Sequence, residues 1–368
     1  MTIPPEIISI SRYYGGNTSF VIGGGGNTSF KSGDNLWIKA SGVRLADIDE
    51  NEFVCLSREK LDHISTAIYS EETVLREKQV KQDLMQAVKG ESKIRPSVET
   101  SLHNLFESSL IVHTHPTVIN ALLCSVRAKE LTEELFGNEV LFVDYTDPGY
   151  VLFKETERQL RKYIDSNGKE PGIVFLQNHG MLICGDDSES VKMHTEKIMT
   201  AVNNRFIRKL PSLEFIKPSK GSKLILNKIS EYFNSRNLYT AFMNNEMTGL
   251  FMSEKDEFSK TAKPFTPDNI VYCKSEYLFA MGKIDDIINS IRSFELRTGY
   301  YPRIIGLQRT GLISAGDSIQ SAQRSLEVFQ DMMKIRFLSE NFGGPEFLTG
   351  KQVEFIDNWE AENYRRKF

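Results

Sequence analysis

Between residues 110 and 207 the chain alternates short apolar runs with longer amphipathic stretches, and few architectures accommodate that order. Residues 110–113 (Leu-Ile-Val-His) form a run closed by Pro116, and residues 140–143, 173–176 and 181–184 repeat the pattern. Apolar runs of this length, bounded by turn residues, predict strands buried on both faces. Helical spacing fills the intervals at 121–126, 151–164 and 188–207. Strands separated by helices must have both sheet faces covered, so the pattern predicts a layered α/β domain ending near residue 210. Upstream, residues 71–88 lack Gly and Pro and predict a surface helix, and residues 97–106, following Pro96, predict a shorter one.

The N-terminal stretch reads differently. The hexapeptide Gly-Gly-Asn-Thr-Ser-Phe occurs at 15–20 and again at 25–30, an echo too short for a solenoid. Apolar residues at 21–22 and 36–38, closed by turn residues at 23–26 and at Ser41-Gly42, predict strands joined by tight turns at a sheet edge. After residue 210 the composition shifts: Pro211, Pro218 and the polar run 217–223 predict an inter-domain connection. The expected division is a first domain over 1–214 and a smaller α/β domain over 215–368. Within the latter, residues 267–272 predict a strand, 283–296 a helix, 303–307 with 312–313 a hairpin, and 318–337 and 354–366 helices.

Lys and Arg number 45 against 49 Asp and Glu, a net charge of −4. That balance gives no general attraction to nucleic acid or to an anionic membrane, so any anion must be held by a local site. There is no apolar stretch of about 18 residues, and Met1-Thr2-Ile3-Pro4-Pro5-Glu6 lacks the basic start of a signal peptide, which makes the cytoplasm the expected compartment. Cys55, Cys124, Cys184 and Cys273 are scattered in apolar contexts and read as buried thiols.

Six histidines exist, at 63, 103, 113, 115, 179 and 194, so histidine chemistry belongs to the first domain. His113 and His115 end a strand, where a period of two directs both imidazoles to one side. A hydrogen-bonded structural pair is the plainer reading of two such histidines, but His179, in Asn178-His179-Gly180, lies at another strand end of the same expected sheet. Three neutral imidazoles with a fourth direction open form a catalytic zinc site. Gly180 serves either close backbone approach or a simple turn. Glu99, in Ser97-Val98-Glu99, is a capping carboxylate on local grounds; it also shares a helix face with His103, and a carboxylate beside a metal can act as general base. The glycine-rich loop and the following Lys-Ala-Ser-Gly bring Asn27, Ser29, Lys31, Lys39, Ser41 and backbone amides near one another. Such turns bind phosphate, or are plain hairpin turns. No Walker loop and no dinucleotide-binding glycine pattern is present.

Taken in order, GGGNTS, KASG, SVET, HTHP and NHG resemble the class II aldolase/adducin family of sugar-phosphate enzymes, over about residues 12–210. The resemblance is closest to the aldolase portion of bifunctional rhamnulose-1-phosphate aldolase/alcohol dehydrogenase proteins, and it extends through PFTPDNIVYCK, the helix at 322–335 and FIDNWEAENYRRK. The dehydrogenase portion of those proteins has no counterpart in these residues, so no dehydrogenase activity is implied. The resemblance implies a layered α/β/α class II aldolase-like domain with His113, His115 and His179 as zinc ligands and Glu99 as acid/base. It further implies phosphate contacts from Asn27, Ser41, Gly42 and Ser97, and Tyr145 as a proton donor from a neighbouring subunit. The family's second serine before the glutamate is Val98 here, and Lys31 or Lys39 is the expected substitute. The implied reaction is cleavage of a ketose 1-phosphate, such as rhamnulose or fuculose 1-phosphate, to dihydroxyacetone phosphate and an aldehyde, in a homotetramer. Pentulose-phosphate 4-epimerases, dehydratases and non-catalytic adducin-like proteins share the scaffold.

Overall fold

The computed structural model describes residues 3–90 and 94–360. The chain divides into two compact units, one running to Arg205 and taking in the segment from Asn358, the other Phe206–Asp357.

The first unit begins with α1 (Pro5–Gly15), β1 (Asn27–Ser32), β2 (Asn35–Lys39) and β3 (Phe53–Ser57). Helices α2 (Arg58–Thr66), α3 (Thr73–Ala87) and α4 (Thr100–Asn104) lead to β4 (Leu110–Thr114). Then come α5 (Thr117–Leu123), α6 (Ala128–Phe136), β5 (Val140–Val143) and α7 (Tyr150–Asn167). The unit closes with β6 (Ile173–Leu176), β7 (Gly180–Gly185) and α8 (Ser188–Asn203). Its seven strands lie in the order β3-β2-β1-β4-β7-β6-β5, antiparallel except for the β5–β6 pair.

Strand β4 occupies the middle and is buried at all five residues, as a run without alternation requires. Ile111, Val174 and Leu182 pack with Leu102 of α4 and Leu152 and Leu160 of α7 in one core, while α1, α5 and α8 cover β1, β4 and β7. Local chemistry fixes the ends of the elements. Asp187 caps α8 by accepting the Ser190 amide at 2.8 Å, and α7 stops at Gly168, which adopts a left-handed conformation.

The second unit contains α9 (Lys220–Asn234), β8 (Tyr239–Met243), α10 (Glu246–Phe251), α11 (Lys255–Ser259) and α12 (Pro267–Cys273). It continues with β9 (Leu278–Ala280), α13 (Ile284–Thr298), β10 (Ile304–Leu307), β11 (Gly311–Gly316), α14 (Ile319–Leu338) and α15 (Gly350–Asn358). Its four-stranded sheet has the order β8-β11-β10-β9, and Ile229, Phe233, Ile291, Ile305 and Ile313 are buried together against it.

Several local expectations are corrected. Residues 267–272 form a helix rather than a strand, because Asn269 Oδ1 accepts the amides of Phe265 and Thr266 and Pro267 takes the first helical turn. Residues 21–22 are irregular backbone between two turns and form no strand; the first copy of the hexapeptide spans the end of α1 and the first of those turns, whereas the second copy feeds β1. The opening helix α1 was not anticipated; Pro5 starts it and Ile7, Ile10 and Tyr14 bury its inner face. Within 217–223, Ser219 caps α9 by accepting the Ser222 amide, so that polar run begins a helix. The helix expected over 354–366 ends at Asn358, and its last six positions lie outside the described residues.

Candidate metal centre and substrate site

The site is assembled where β1, β4 and the β6–β7 turn meet. In the sheet register Asn27 lies opposite His113, and His113 lies opposite Leu182. His115 follows the end of β4, and His179 sits in the turn between Leu176 and Gly180, where Asn178 adopts φ 54°. One side-chain donor from each of His113, His115 and His179 lies within 4.8 Å of the others. The His115 and His113 Nε2 atoms are 3.0 Å apart.

The tautomer of His113 follows from its other nitrogen. Nδ1 faces the Met181 carbonyl oxygen at 3.0 Å, which can only accept, so Nδ1 carries the proton and the Nε2 lone pair points into the cluster. That is the protonation pattern of a metal-binding imidazole, and the donor set fits a divalent cation that prefers nitrogen. A side chain at position 180 would obstruct it: a Cβ there would meet the Thr114 carbonyl oxygen at 2.5 Å and His115 Cδ2 at 2.6 Å. Gly180 therefore serves close approach of two backbones. Gly26 does the same on the other side, at φ 64° and with its missing Cβ 2.7 Å from the His113 carbonyl oxygen.

Glu99 is buried among these groups. Its Oε1 lies 3.3 Å from His179 Nε2 and 3.6 Å from His113 Nε2, and its Oε2 accepts a hydrogen bond from Asn27 Nδ2 at 2.5 Å. It stands at the N-cap of α4 but makes no side-chain capping bond, so the carboxylate serves the cluster and not the helix. Burial alone would raise its pKa; positive charge on His113 and His179 whenever those rings are protonated, together with the Asn27 amide, outweighs burial and holds it well below the usual carboxylate range. His103 is fully buried with Nδ1 2.8 Å from Ser29 Oγ, and burial lowers its pKa to about 3 despite the nearby Glu99, which keeps it neutral. Asn27 Oδ1, Ser101 Oγ and His103 Nε2 are buried without a hydrogen-bonding partner among the described residues, and a polar ligand or water can satisfy them.

The remaining candidates separate into two groups. Ser97 Oγ is 3.4 Å from Asn27 Nδ2 and accepts the Glu99 amide, while Ser41 reaches the same strand edge by donating its amide to the Arg95 carbonyl at 2.8 Å. Gly42 beside it adopts φ 86°. Lys39 is buried, and its ammonium donates to the carbonyls of Gly24 and Val43, tying the glycine-rich loop to the Ser41-Gly42 turn. Asn27, Ser41, Gly42, Ser97 and Lys39 thus belong to one region. Lys31 does not: its Nζ donates to the Ser108 carbonyl, and it stands four residues along β1 from Asn27, about 13 Å of strand. Ser29 faces His103, supporting it from beneath. Tyr145 makes no contact with the histidines among the described residues. Its hydroxyl donates to Asp147, its amide donates to Gln177, and burial with Asp147 raises its pKa well above the ordinary value, so the phenol stays protonated.

Sequence reasoning missed Asn120, whose Nδ2 donates to the His179 carbonyl at 3.3 Å and so steadies the turn from α5. The available signal was an amide side chain inside the apolar helix that follows His115-Pro116.

An α/β scaffold that delivers three histidines, two from the end of β4 and one from the β6–β7 turn, to a buried glutamate narrows the family sharply, and the comparison with known families agrees. Residues 5–204 match the model of the class II aldolase and adducin N-terminal domain, and the chain belongs to that family. Among curated relatives, it is 28% identical over 203 residues to the uncharacterized oxidoreductase YuxG of Bacillus subtilis, a match covering 53% of this chain but only 28% of that protein. It is 24% identical over 178 residues to the L-fuculose phosphate aldolase of Methanocaldococcus jannaschii, covering 46% of this chain and 76% of that one. Among solved structures, the N-terminal class II aldolase domain of a conserved Thermoplasma acidophilum protein is similar at 24% identity with a TM-score of 0.47, covering 55% of this chain and 92% of that one. Among the described residues no helix is long and apolar enough to cross a membrane.

Proposed function

We propose that the first unit is a divalent-metal-dependent aldolase that cleaves a ketose 1-phosphate of the rhamnulose or fuculose type to dihydroxyacetone phosphate and a short aldehyde. The observation that carries this reading is the convergence of His113, His115 and His179 beside Glu99. Those three imidazoles would hold the cation, with zinc favoured by an all-nitrogen donor set. When bound, it supplies an electrophile for the ketose oxygens and stabilises the charge that develops as the C3–C4 bond breaks.

The chain's own groups do the rest. Glu99, held by Asn27, exchanges a proton with C3 of the dihydroxyacetone phosphate fragment. Ser41, Gly42, Ser97 and the Asn27 amide form the phosphate cradle, and Lys39, fixed between its two loops, supplies positive charge in place of the missing serine hydroxyl. Tyr145, protonated at neutral pH, is the donor to the aldehyde oxygen. Within one chain it is bonded to Asp147, and the reading therefore includes a homo-oligomer in which it serves a neighbouring subunit's site.

A panel of ketose 1-phosphates, assayed by coupling dihydroxyacetone phosphate release to its reduction, tests the reading. Release from at least one six-carbon substrate is expected, at a rate that falls on chelation and returns with zinc. Isomerisation or water loss without fragment release would assign the site to an epimerase or a dehydratase.

A further inference from the structure

The second unit repeats the strand order of the metal-bearing half of the first and the helices that flank its last two strands, with three helices instead of two in the first connection. Strands β4, β5, β6 and β7 occur in the sheet order β4-β7-β6-β5, and β8, β9, β10 and β11 occur as β8-β11-β10-β9. In each set one neighbouring pair is parallel and the other two antiparallel, in matching places. Helix α13 enters β10 as α7 enters β6, and α14 leaves β11 as α8 leaves β7.

The correspondence persists at single residues. A shift of 131 positions carries Gly168 onto Gly299, both left-handed helix ends, and then Pro171 onto Pro302, Gln177 onto Gln308, Gly180 onto Gly311, Gly185 onto Gly316 and Asp186 onto Asp317. Asn178 at φ 54° falls on Arg309 at φ 52°, an uncommon conformation for either side chain. Backbone bonds outside the ladders repeat as well: Gln177 to Val143 and Gln308 to Ala280, His179 to Leu176 and Thr310 to Leu307, Cys184 to Gly172 and Ala315 to Arg303. Two unrelated βαββα segments have no reason to share this many independent irregularities.

Gly311 locates the vacated site. A Cβ on Gly180 would meet the Thr114 carbonyl oxygen, His115 and His113; a Cβ on Gly311 would meet the Met243 carbonyl oxygen at 2.5 Å, Asn244 at 3.1 Å and Phe242 at 3.1 Å. The sheet register agrees, since His113 faces Leu182 and Phe242 faces Ile313, the residue 131 positions on. His113, His115 and His179 therefore correspond to Phe242, Asn244 and Thr310. We infer that the second unit is a duplicate of the metal-bearing half whose three ligand positions have been lost, so that it is a non-catalytic copy and, of the two units, the first alone carries the reaction centre. Strands β1 to β3, which bring Asn27 to Glu99, have no counterpart among the described residues of the second unit.

The inference rests on the metal reading of the first unit, and cobalt binding separates the two. F242H/N244H/T310H restores the imidazoles at positions that are only half buried. Tag-free wild type is expected to bind one Co2+ per chain, and the triple variant two, each with the visible absorption of a nitrogen-bound site. In an H113A/H179A background, wild-type positions 242, 244 and 310 should give no bound ion and the triple substitution should give one. A triple variant that folds by circular dichroism yet gains no ion in either background would overturn the duplication. Should it fail to fold, N244H/T310H, which leaves Phe242 in place, is expected to gain a weaker ion, and no gain there counts equally against the inference. Absence of cobalt from wild type, with one ion gained in the triple variant, would instead remove the proposed catalytic centre and leave the duplication standing.

Discussion

Replacing His179 with alanine is expected to abolish tight binding of the divalent cation and to lower kcat/KM for aldol cleavage by about a thousandfold or more, with little change in the melting temperature of the metal-free protein. A metal acting as electrophile contributes several kcal/mol of transition-state stabilisation, and about 4 kcal/mol corresponds to a factor of about a thousand. His179 is the most diagnostic of the three ligands to remove because it lies on the β6–β7 turn, outside the buried strand β4 that carries His113. Its backbone is held independently, its N–H donating a hydrogen bond to the Leu176 carbonyl and its carbonyl accepting one from Asn120 Nδ2, so the alanine variant keeps the turn. The measurement is paired: elemental analysis after dialysis, and initial rates with and without added zinc. A variant that loses the metal but cleaves at the wild-type rate would separate the cluster from the chemistry.

Glu99→Gln is the second large expected effect, and it differs in kind. Glutamine keeps the shape and can still accept the Asn27 amide through its carbonyl oxygen, but it cannot take a proton from carbon. Loss of a positioned acid or base lowers turnover by about a hundredfold to ten-thousandfold. Because Glu99 lies beside the imidazoles while His113, His115 and His179 supply the donors, the variant should still bind about one cation. The discriminating readout is exchange of solvent deuterium into C3 of dihydroxyacetone phosphate, which requires proton transfer but no aldehyde. Exchange should fall in parallel with cleavage. Exchange at the wild-type rate would place the proton-transfer group elsewhere.

Much of the site was legible before the structure because its parts are short motifs at strand ends. His113 and His115 follow from a period of two on an apolar strand, and the strands on either side of Asn178-His179-Gly180 mark a tight turn. What could not be read locally was the role of Glu99. Its sequence context is that of a helix cap, and only the pairing of β1 with β4, which sets Asn27 opposite His113, turns its carboxylate toward the imidazoles. Lys31 and Lys39 illustrate the same limit. Lys31 follows the glycine-rich loop and Lys39 precedes the Ser41-Gly42 turn, yet their ammonium groups go to carbonyls in different places, and only sheet geometry distinguishes them.

Fold errors have equally local causes. Residues 267–272 carry apolar and β-branched side chains suited to a strand, but Asn269 accepts the amides of Phe265 and Thr266 just before the helix, Pro267 fits its first turn, and these decide the outcome. The duplication is faint in the sequence because the residues that recur are turn glycines, one proline, one glutamine and one aspartate, whereas the chemically conspicuous residues are those that changed. A hexapeptide that does repeat, at 15–20 and 25–30, forms different structures in its two copies. A short identity of letters thus carries no identity of fold here, whereas a sparse set of turn residues at a constant shift does.

The central claim is that three imidazoles from distant parts of the polypeptide share one cation. X-ray absorption at the zinc edge, on protein loaded with one equivalent, addresses it without reference to activity. Three imidazole nitrogens at about 2.0–2.1 Å, completed by oxygen, are expected, with one nitrogen lost in His179→Ala if residual metal is retained. A spectrum dominated by sulfur or carboxylate oxygen, or one unchanged by that substitution, would contradict the account.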